Sequence, residues 1–491
     1  MVKKYDVVLV GGGPGGLTCA ALLAKWGLKP LLLDKNESTG GKAVTVSRNG
    51  FTYDLAPKLQ CPMRGSAIEK AHMMLGIESE LRPIYLEGER QIAISYRKRG
   101  SNKYLTGFNV QQGADATALF DLMGLNAEER ERTIAIMTDI ALMPQEGLDA
   151  LDDLTFEEYM ARHKEVPDAV YSYLAMMSNS SLAEPIDLVS ASEQVRIMQD
   201  IIRGGGGGYY AGGFGRVLDN LAEAIKANGG EVRTQTRVEK IEVSDGRVIG
   251  VVAGGDEFKA SIVVSDAGIQ PTVLRLVGEE HFDKGYVNYI KGLVPGWGFT
   301  AVRYFLNRPV LKQAAYMIYS DESWWNMERY VSIREGHVPD EVIIFGLVPS
   351  NYDPTMSPKG KQCFIAGTIC PPDPKEQQIQ MLYSKMDKML EKVYPEIIDA
   401  LDYKEHEGPA EISASTREQV LPGQGGECVG LGQVVGQCGK YKPSPKAPIR
   451  GLFYVGCDAG GAGMGTHQAA DSGIKVAHMV FQYHRLGLAA R

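Results

Sequence analysis

An apolar run (Val7, Val8, Leu9, Val10) leads into the turn Gly11-Gly12-Gly13-Pro14-Gly15-Gly16, a stretch of helical character, and a second apolar run, Leu31-Leu32-Leu33, that closes on Asp34. Strand, glycine turn, helix, strand and acid in that register describe a βαβ unit that binds a dinucleotide. Gly11, Gly13 and Gly16 carry the GxGxxG spacing: the first makes the tight turn, the second lets a pyrophosphate approach the backbone, and the third lets the helix pack on the strand. With Pro14 and Gly15 they would set phosphates on a positive helix end. Asp34 lies 18 positions after Gly16, where a carboxylate can accept both hydroxyls of an adenosine ribose, and Lys35 follows it. A glycine triplet alone would be a weak signal; the full register carries the reading.

At 491 residues the chain exceeds one ordinary core, so two or more domains sharing an interface are expected. Hydrophobic residues make up 44% and charged residues 23%, the balance of a soluble globular protein. No uninterrupted apolar run reaches the roughly 20 residues that a spanning helix needs. Residues 1–10 pass straight into a strand, so no signal peptide is expected and the reading is cytoplasmic. A net charge of −8, with no dense basic cluster beside aromatic residues, argues against nucleic acid as a partner. The seven cysteines form no CxxC pair and are odd in number, which argues against a zinc site and a disulfide framework. Cys428 and Cys438 share a glycine-rich stretch and could meet. The eight histidines show no metal spacing, neither HExxH nor GxSxG occurs, and no metal is expected.

Further along, Gln112 to Ile202 reads as helices with acidic entry turns such as Asp152-Asp153-Leu154-Thr155-Phe156-Glu157-Glu158. The tract Gly204 to Gly208 ends them. Tyr209-Tyr210-Ala211-Gly212-Gly213-Phe214 then opens a helix through Ile225, followed by a strand from Glu231 and a hairpin whose turn is Asp245-Gly246. From about Gly285 to Val420 strands and long loops prevail, with one clear helix from Lys375 to Val393. The last segment has a strand, Leu452 to Val455, a glycine-rich turn from Gly456 to Gly465, and a final helix from Thr466. Nucleotide-binding pieces therefore arrive in three separated segments.

After Asp34-Lys35 come Gly40-Gly41-Lys42 and Gly50-Phe51-Thr52-Tyr53-Asp54-Leu55-Ala56-Pro57. Here the chain resembles the phytoene desaturase branch of the flavin-dependent amine oxidase superfamily, over nearly its whole length. Tyr210-Ala211-Gly212-Gly213 with Gly229-Gly230-Glu231, the loop from Pro349 to Gly360, and Gly451-Leu452-Phe453-Tyr454-Val455-Gly456 running into Gly460 to Gly465 carry the same resemblance. It implies an α/β fold: a Rossmann-type FAD-binding domain assembled from residues 1–96, 203–284 and 421–491, a helical substrate- or membrane-facing subdomain at 97–202, and a strand-rich, mixed-sheet substrate domain at 285–420. It further implies FAD as cofactor, with Gly41, Lys42, Pro57, Lys58, Leu59, Val238, Asp458, Gly465 and Thr466 joining the first turn in holding it. Physically, a glycine-rich helix start such as Gly463-Met464-Gly465-Thr466 can turn backbone N–H groups toward the flavin pyrimidine, whose reduced-state charge the helix dipole stabilises.

Three positions depart from the pattern. Lys42 stands where relatives carry Arg, keeping the charge near the pyrophosphate but losing the planar fork. Ala56 replaces a glycine, so its φ should be negative if the loop is unstrained. Cys457 sits where many flavoproteins have an Asp for the ribityl chain, with Asp458 one place later, and either could face it. Asp266, at a strand end, is expected to cap the next helix, with cofactor contact the alternative.

The expected activity is that of an FAD-dependent oxidoreductase that desaturates, saturates or isomerises carbon–carbon bonds of a small, largely apolar, isoprenoid-like substrate. Alternatives are an amine or amino-acid oxidase and a non-catalytic flavin-binding escort. The flavin supplies the hydride chemistry, so no protein triad is required, and no catalytic residue is assigned. Candidates near the flavin are His467, alternatively a helix-packing residue, and Lys58 or Lys291 as a buried amine. Trp324-Trp325, Tyr209-Tyr210, Tyr316 and Tyr319 are candidates for a substrate slot or for plain core. The stretch Tyr171 to Met177 is a candidate for peripheral membrane contact or for core. Quinone, oxygen or another carrier could serve as redox acceptor, and the oligomeric state is left open.

Overall fold

The computed structural model describes residues 5–87, 92–109 and 117–487. Its nucleotide half is built on a five-stranded parallel sheet in the spatial order Leu452–Tyr454, Val263–Ser265, Val7–Val10, Pro30–Leu33, Glu231–Arg233. Strands of all three expected segments meet in it. The sheet is covered on both faces, so Val7, Val8, Leu9, Leu31 and Leu32 are fully buried and their strands read as unbroken apolar runs rather than alternating ones.

The helix Pro14–Lys25 begins on a proline, whose missing N–H would have had no intrahelical acceptor. It packs on the last helix, Gly465–Arg485, so closely that a Cβ on Gly473 would stand 2.7 Å from the Gly15 carbonyl oxygen. That contact brings the C-terminal glycine turn to the N-terminal one. Beside the sheet, Val238–Ser244, Arg247–Ala253 and Asp256–Lys259 form an antiparallel meander. Asp245 and Gly246 at its first turn both have positive φ, 50° and 69°, as the Asp-Gly pair predicts.

The second half is a seven-stranded mixed sheet in the order Leu401–Glu407, Gly298–Leu306, Gln362–Cys370, Ile344–Leu347, Ala315–Ser320, Ile92–Arg97, Leu105–Asn109. The boundary drawn at 96/97 falls inside one of these strands. Ile92–Arg97 pairs in parallel with Ala315–Ser320 and so belongs to the mixed sheet, not to the nucleotide half. All six of its residues are buried, and nothing local tells which sheet will receive such a strand.

Helices Ala127–Leu142, Asp168–Ser181 and Ala191–Arg203 dominate the intervening lobe. Residues 112–116 of the expected helical segment lie outside the described residues. A capping box at Asn126 and Glu129 starts the first helix, and one at Thr155 and Glu158 starts the short Phe156–Met160. The stretch Tyr171 to Met177 turns largely inward, with Leu174, Ala175 and Met176 fully buried. The Gly204 to Gly208 tract does more than end the helices. A Cβ on Gly204 would approach Pro62, and one on Gly207 the Cys61 sulfur, to 2.4 Å. Among the described residues no helix is long and apolar enough to cross a membrane.

Candidate cofactor and substrate site

A cleft of about 1070 Å³ joins the first glycine turn, the start of the last helix and the helical lobe. At its nucleotide end Gly11 takes φ 97°, turning the chain out of the opening strand. The Gly12 amide donates to Asp34 Oδ2 and the Asn36 amide to Oδ1, each at 2.8 Å, which fixes the carboxylate while leaving both oxygens further acceptor capacity. Gly11, Gly13, Pro14, Lys35, Gly41 and Lys42 line this end, and Val238 closes it. Gly15 and Gly16 are set back from the lining of this end. A Cβ on Gly15 would meet the Gly456 backbone at 2.8 Å, and one on Gly16 the Gly11 carbonyl at 2.4 Å, so both positions serve close packing.

Asp266 does not cap the helix that follows it; Ile269–Pro271 has Gly268 at its N-cap and no side-chain cap. Its Oδ2 accepts the Gly16 amide at 3.0 Å, capping the first helix from 250 positions away. Burial pushes its carboxyl up to about 8, against the pull of the Gly16 amide, and the charges of Asp34 and Asp458 add to the rise.

A strap, residues 416–430, contributes cleft residues at both ends. Arg417 grips Asp458 at 2.9 Å (Oδ1) and 2.8 Å (Oδ2). The Leu431 amide donates to Oδ1 at 3.0 Å and the Ile269 amide to Oδ2 at 2.9 Å. Burial would raise the Asp458 carboxyl, but the guanidinium and the amides outweigh it and hold it below the usual carboxylate range. Asp458 lines the cleft with its carboxylate held by these protein partners. Cys457 also lines the cleft and donates its thiol to the Gly465 carbonyl at 3.4 Å. Next to Arg417, Glu418 pairs with Arg275 at 2.7 Å, with Lys35 at 3.8 Å, and with Arg237. Lys42 Nζ donates to the Glu427 carbonyl.

At the other end the last helix starts without a side-chain cap, the Gly465 and Thr466 amides have no intrahelical acceptor, and Met464, Gly465 and Thr466 line the cleft. Thr466 Oγ1 donates to Gln60 Oε1 at 3.0 Å. Ala56, Pro57, Lys58 and Leu59 form part of the same wall, with Ala56 at negative φ as expected and Lys58 Nζ donating to the Ala56 carbonyl at 3.3 Å. His467 is a packing residue: its Nδ1 accepts the Ala67 amide at 3.0 Å, and burial lowers its pKa to about 4.

Beyond Lys58 the cleft becomes a gallery between the mixed sheet and the lobe, walled by Phe120, Tyr173, Met177, Met198, Met317 and Phe345. Among the described residues lining the cleft, the charged ones other than Lys58 belong to the nucleotide end, and beyond Lys58 the gallery has none. Its rim carries Ile134, Leu142 and Ile202, which are 54%, 76% and 53% exposed.

Residues 14–480 match the family described as flavin containing amine oxidoreductase. The chain belongs to that family. Its curated relatives include the chloroplastic prolycopene isomerase of Daucus carota, 23% identical over 97% of this chain and 80% of that one. Another is a phytoene desaturase of Cercospora nicotianae, 24% identical over 74% of this chain and 60% of that one. These bear out the resemblance to the desaturase branch. A crystal structure of an oxidoreductase from Methanosarcina mazei shares the fold, with a TM-score of 0.72 at 19% identity over 96% of this chain and 99% of that one. As a family member this chain is an FAD-dependent oxidoreductase. The cleft fits that cofactor: one unbroken path joins an acid-ended second strand, a bare glycine turn and an uncapped helix start.

Several candidates do not belong to this flavin site. Lys291 lies on the surface, paired with Glu279 at 2.7 Å. Tyr209, Tyr210, Tyr316, Tyr319, Trp324 and Trp325 do not line the cleft; Tyr209 instead donates to Asp54 Oδ2 at 2.6 Å. Cys428 and Cys438 remain free thiols. The strap residues Arg417 and Glu418 escaped sequence reading. The only local hint was a glycine-rich stretch, Gly423 to Gly432, between two domains.

Proposed function

We propose that this chain acts on a carbon–carbon bond of a long, uncharged, largely apolar molecule that lies in the gallery. The observation that carries it is the gallery wall, which presents no charged side chain. Recognition of an amino acid would need a cation for the carboxylate, and an amine would gain from a carboxylate or an aromatic cage. Methionine walls suit a flexible or kinked chain, because the thioether side chain repacks at little cost. The two relatives, a prolycopene isomerase and a phytoene desaturase, point to the same class of substrate.

FAD, when bound, supplies the two-electron acceptor or donor. In this reading Asp34 takes the adenosine ribose and the Val238 backbone the adenine. Lys35 supplies positive charge beside the ribose, and the turn at Gly11, Gly13 and Pro14 receives the pyrophosphate at a helix start. Gly41 and Lys42 close over it, with the Lys42 charge opposing that of the phosphates. Pro57, Lys58 and Leu59 lie against the ring system, while the Gly465 and Thr466 amides meet its pyrimidine edge. The exposed apolar rim at Ile134, Leu142 and Ile202 rests on a lipid surface, from which an apolar substrate enters without crossing water.

The reading is tested by mixing the flavin-loaded protein, oxidised or anaerobically reduced, with detergent-dispersed polyenes and with aliphatic amines. A polyene product differing by two hydrogens, or an isomer of unchanged mass, is expected. Rapid flavin reduction by an amine, with peroxide released, would transfer the protein to the amine oxidases.

A further inference from the structure

Asp266 is wedged under the place where three segments meet. A Cβ on Gly13 would stand 2.6 Å from its Oδ2, and one on Gly456 2.5 Å from its Oδ1. Besides accepting the Gly16 amide, it lines the cleft directly behind the turn. Among the described residues no cation is paired with it; of the guanidinium groups lining the cleft, Arg417 is engaged by Asp458, and Arg237 and Arg275 by Glu418. The titratable groups facing it are Cys19 from the first helix, Asp34 from the second strand, and Cys457 and Asp458 from the last glycine turn. None of them brings positive charge.

A pyrophosphate on the Gly11 to Gly16 turn adds two negative charges at the same helix start. Like charges brought together at a helix start favour neutralisation of one of them, and the half-buried Asp266 carboxyl, wedged behind the turn with no cation beside it, is the group that gives way. We propose that Asp266 takes up a proton from solvent when the dinucleotide pyrophosphate settles on the turn, so that FAD binding is proton-coupled. The inference rests on the reading that this turn takes the pyrophosphate. The neutral carboxyl keeps its Gly16 bond through one oxygen and removes the repulsion.

The sense of the pH dependence follows. In the free protein the carboxyl lies at about 8, and the bound phosphates push it higher. Below that pH it is already protonated and affinity is flat. Above it, affinity falls by up to tenfold per pH unit until the bound-state value is reached. The experiment follows flavin fluorescence on dilution of the holoprotein, and calorimetric rebinding of FAD, and separately of ADP, between pH 6.5 and 9 in two buffers of different ionisation enthalpy. Expected are net proton uptake at pH 8.5 to 9 with both ligands and its loss in Asp266→Asn, which keeps an acceptor for Gly16 and binds FAD more tightly than wild type at pH 9. A wild-type affinity that is flat to pH 9 with no proton exchanged overturns the proposal without any variant. Proton uptake unchanged in Asp266→Asn overturns the assignment to this residue. Failure of both FAD and ADP to bind at any pH removes the pyrophosphate reading, and the proposal with it.

Discussion

Neutral His467 holds the Ala67 amide through Nδ1, and an imidazolium could not accept that hydrogen bond. Burial keeps its folded-state pKa near 4 against 6.5 for an ordinary histidine. As pH falls, the unfolded chain therefore binds this proton first. The contribution is complete above about pH 6.5 and is lost progressively toward pH 4, a change on the order of 3 kcal/mol. Urea midpoints at pH 7, 5.5 and 4.5 should fall accordingly, and His467→Phe should show a shallower fall because its side chain does not titrate. The same logic of burial and pairing separates two neighbouring acids. Asp458 has a guanidinium and two amides, so it stays ionised, whereas Asp266 has the Gly16 and Gly13 amides and no cation. Sequence offered no sign of that difference, because Arg417 lies 41 positions from Asp458 and meets it only through the fold.

The strap matters as an element because both of its ends line the cleft and each is tied down. Glu418 binds it to Lys35, Arg237 and Arg275 beside the acid-ended second strand, and Lys42 binds it through the Glu427 carbonyl. The Glu418 pairs are partly solvated and individually weak, but they act on one side chain. Glu418→Gln should speed FAD release roughly fivefold, about 1 kcal/mol, and should weaken the acceleration of release by salt. Flavin fluorescence after dilution at 50 and 500 mM salt checks both. The βαβ unit, the Asp-Gly hairpin and the capped lobe helices were legible because each is specified within a few residues: glycine where φ is positive, Asn or Thr with Glu where amides need acceptors. The strap was not, since its conformation comes from ion pairs with residues far away in the chain.

At the scale of the whole molecule, a charged nucleotide end and an uncharged gallery share one cleft, and the gallery opens at an apolar rim. If that rim rests on lipid, replacing Ile134, Leu142 and Ile202 together by serine should abolish flotation with zwitterionic liposomes at high salt, where electrostatic contact is screened, while leaving the circular dichroism unchanged. Retained flotation would place the lipid contact elsewhere. Reading the chain alone gave the dinucleotide unit and the three separated nucleotide-binding segments, because these follow from short-range patterns of glycine, apolar residues and acid, and its motifs carried the resemblance to an FAD-binding family. The sheet that receives Ile92–Arg97, the inward turn of Tyr171 to Met177 and the partners of Asp266 and Asp458 followed from tertiary contact. Pairing between residues separated by tens to hundreds of positions depends on which buried surfaces and charges meet, and no local pattern encodes that meeting.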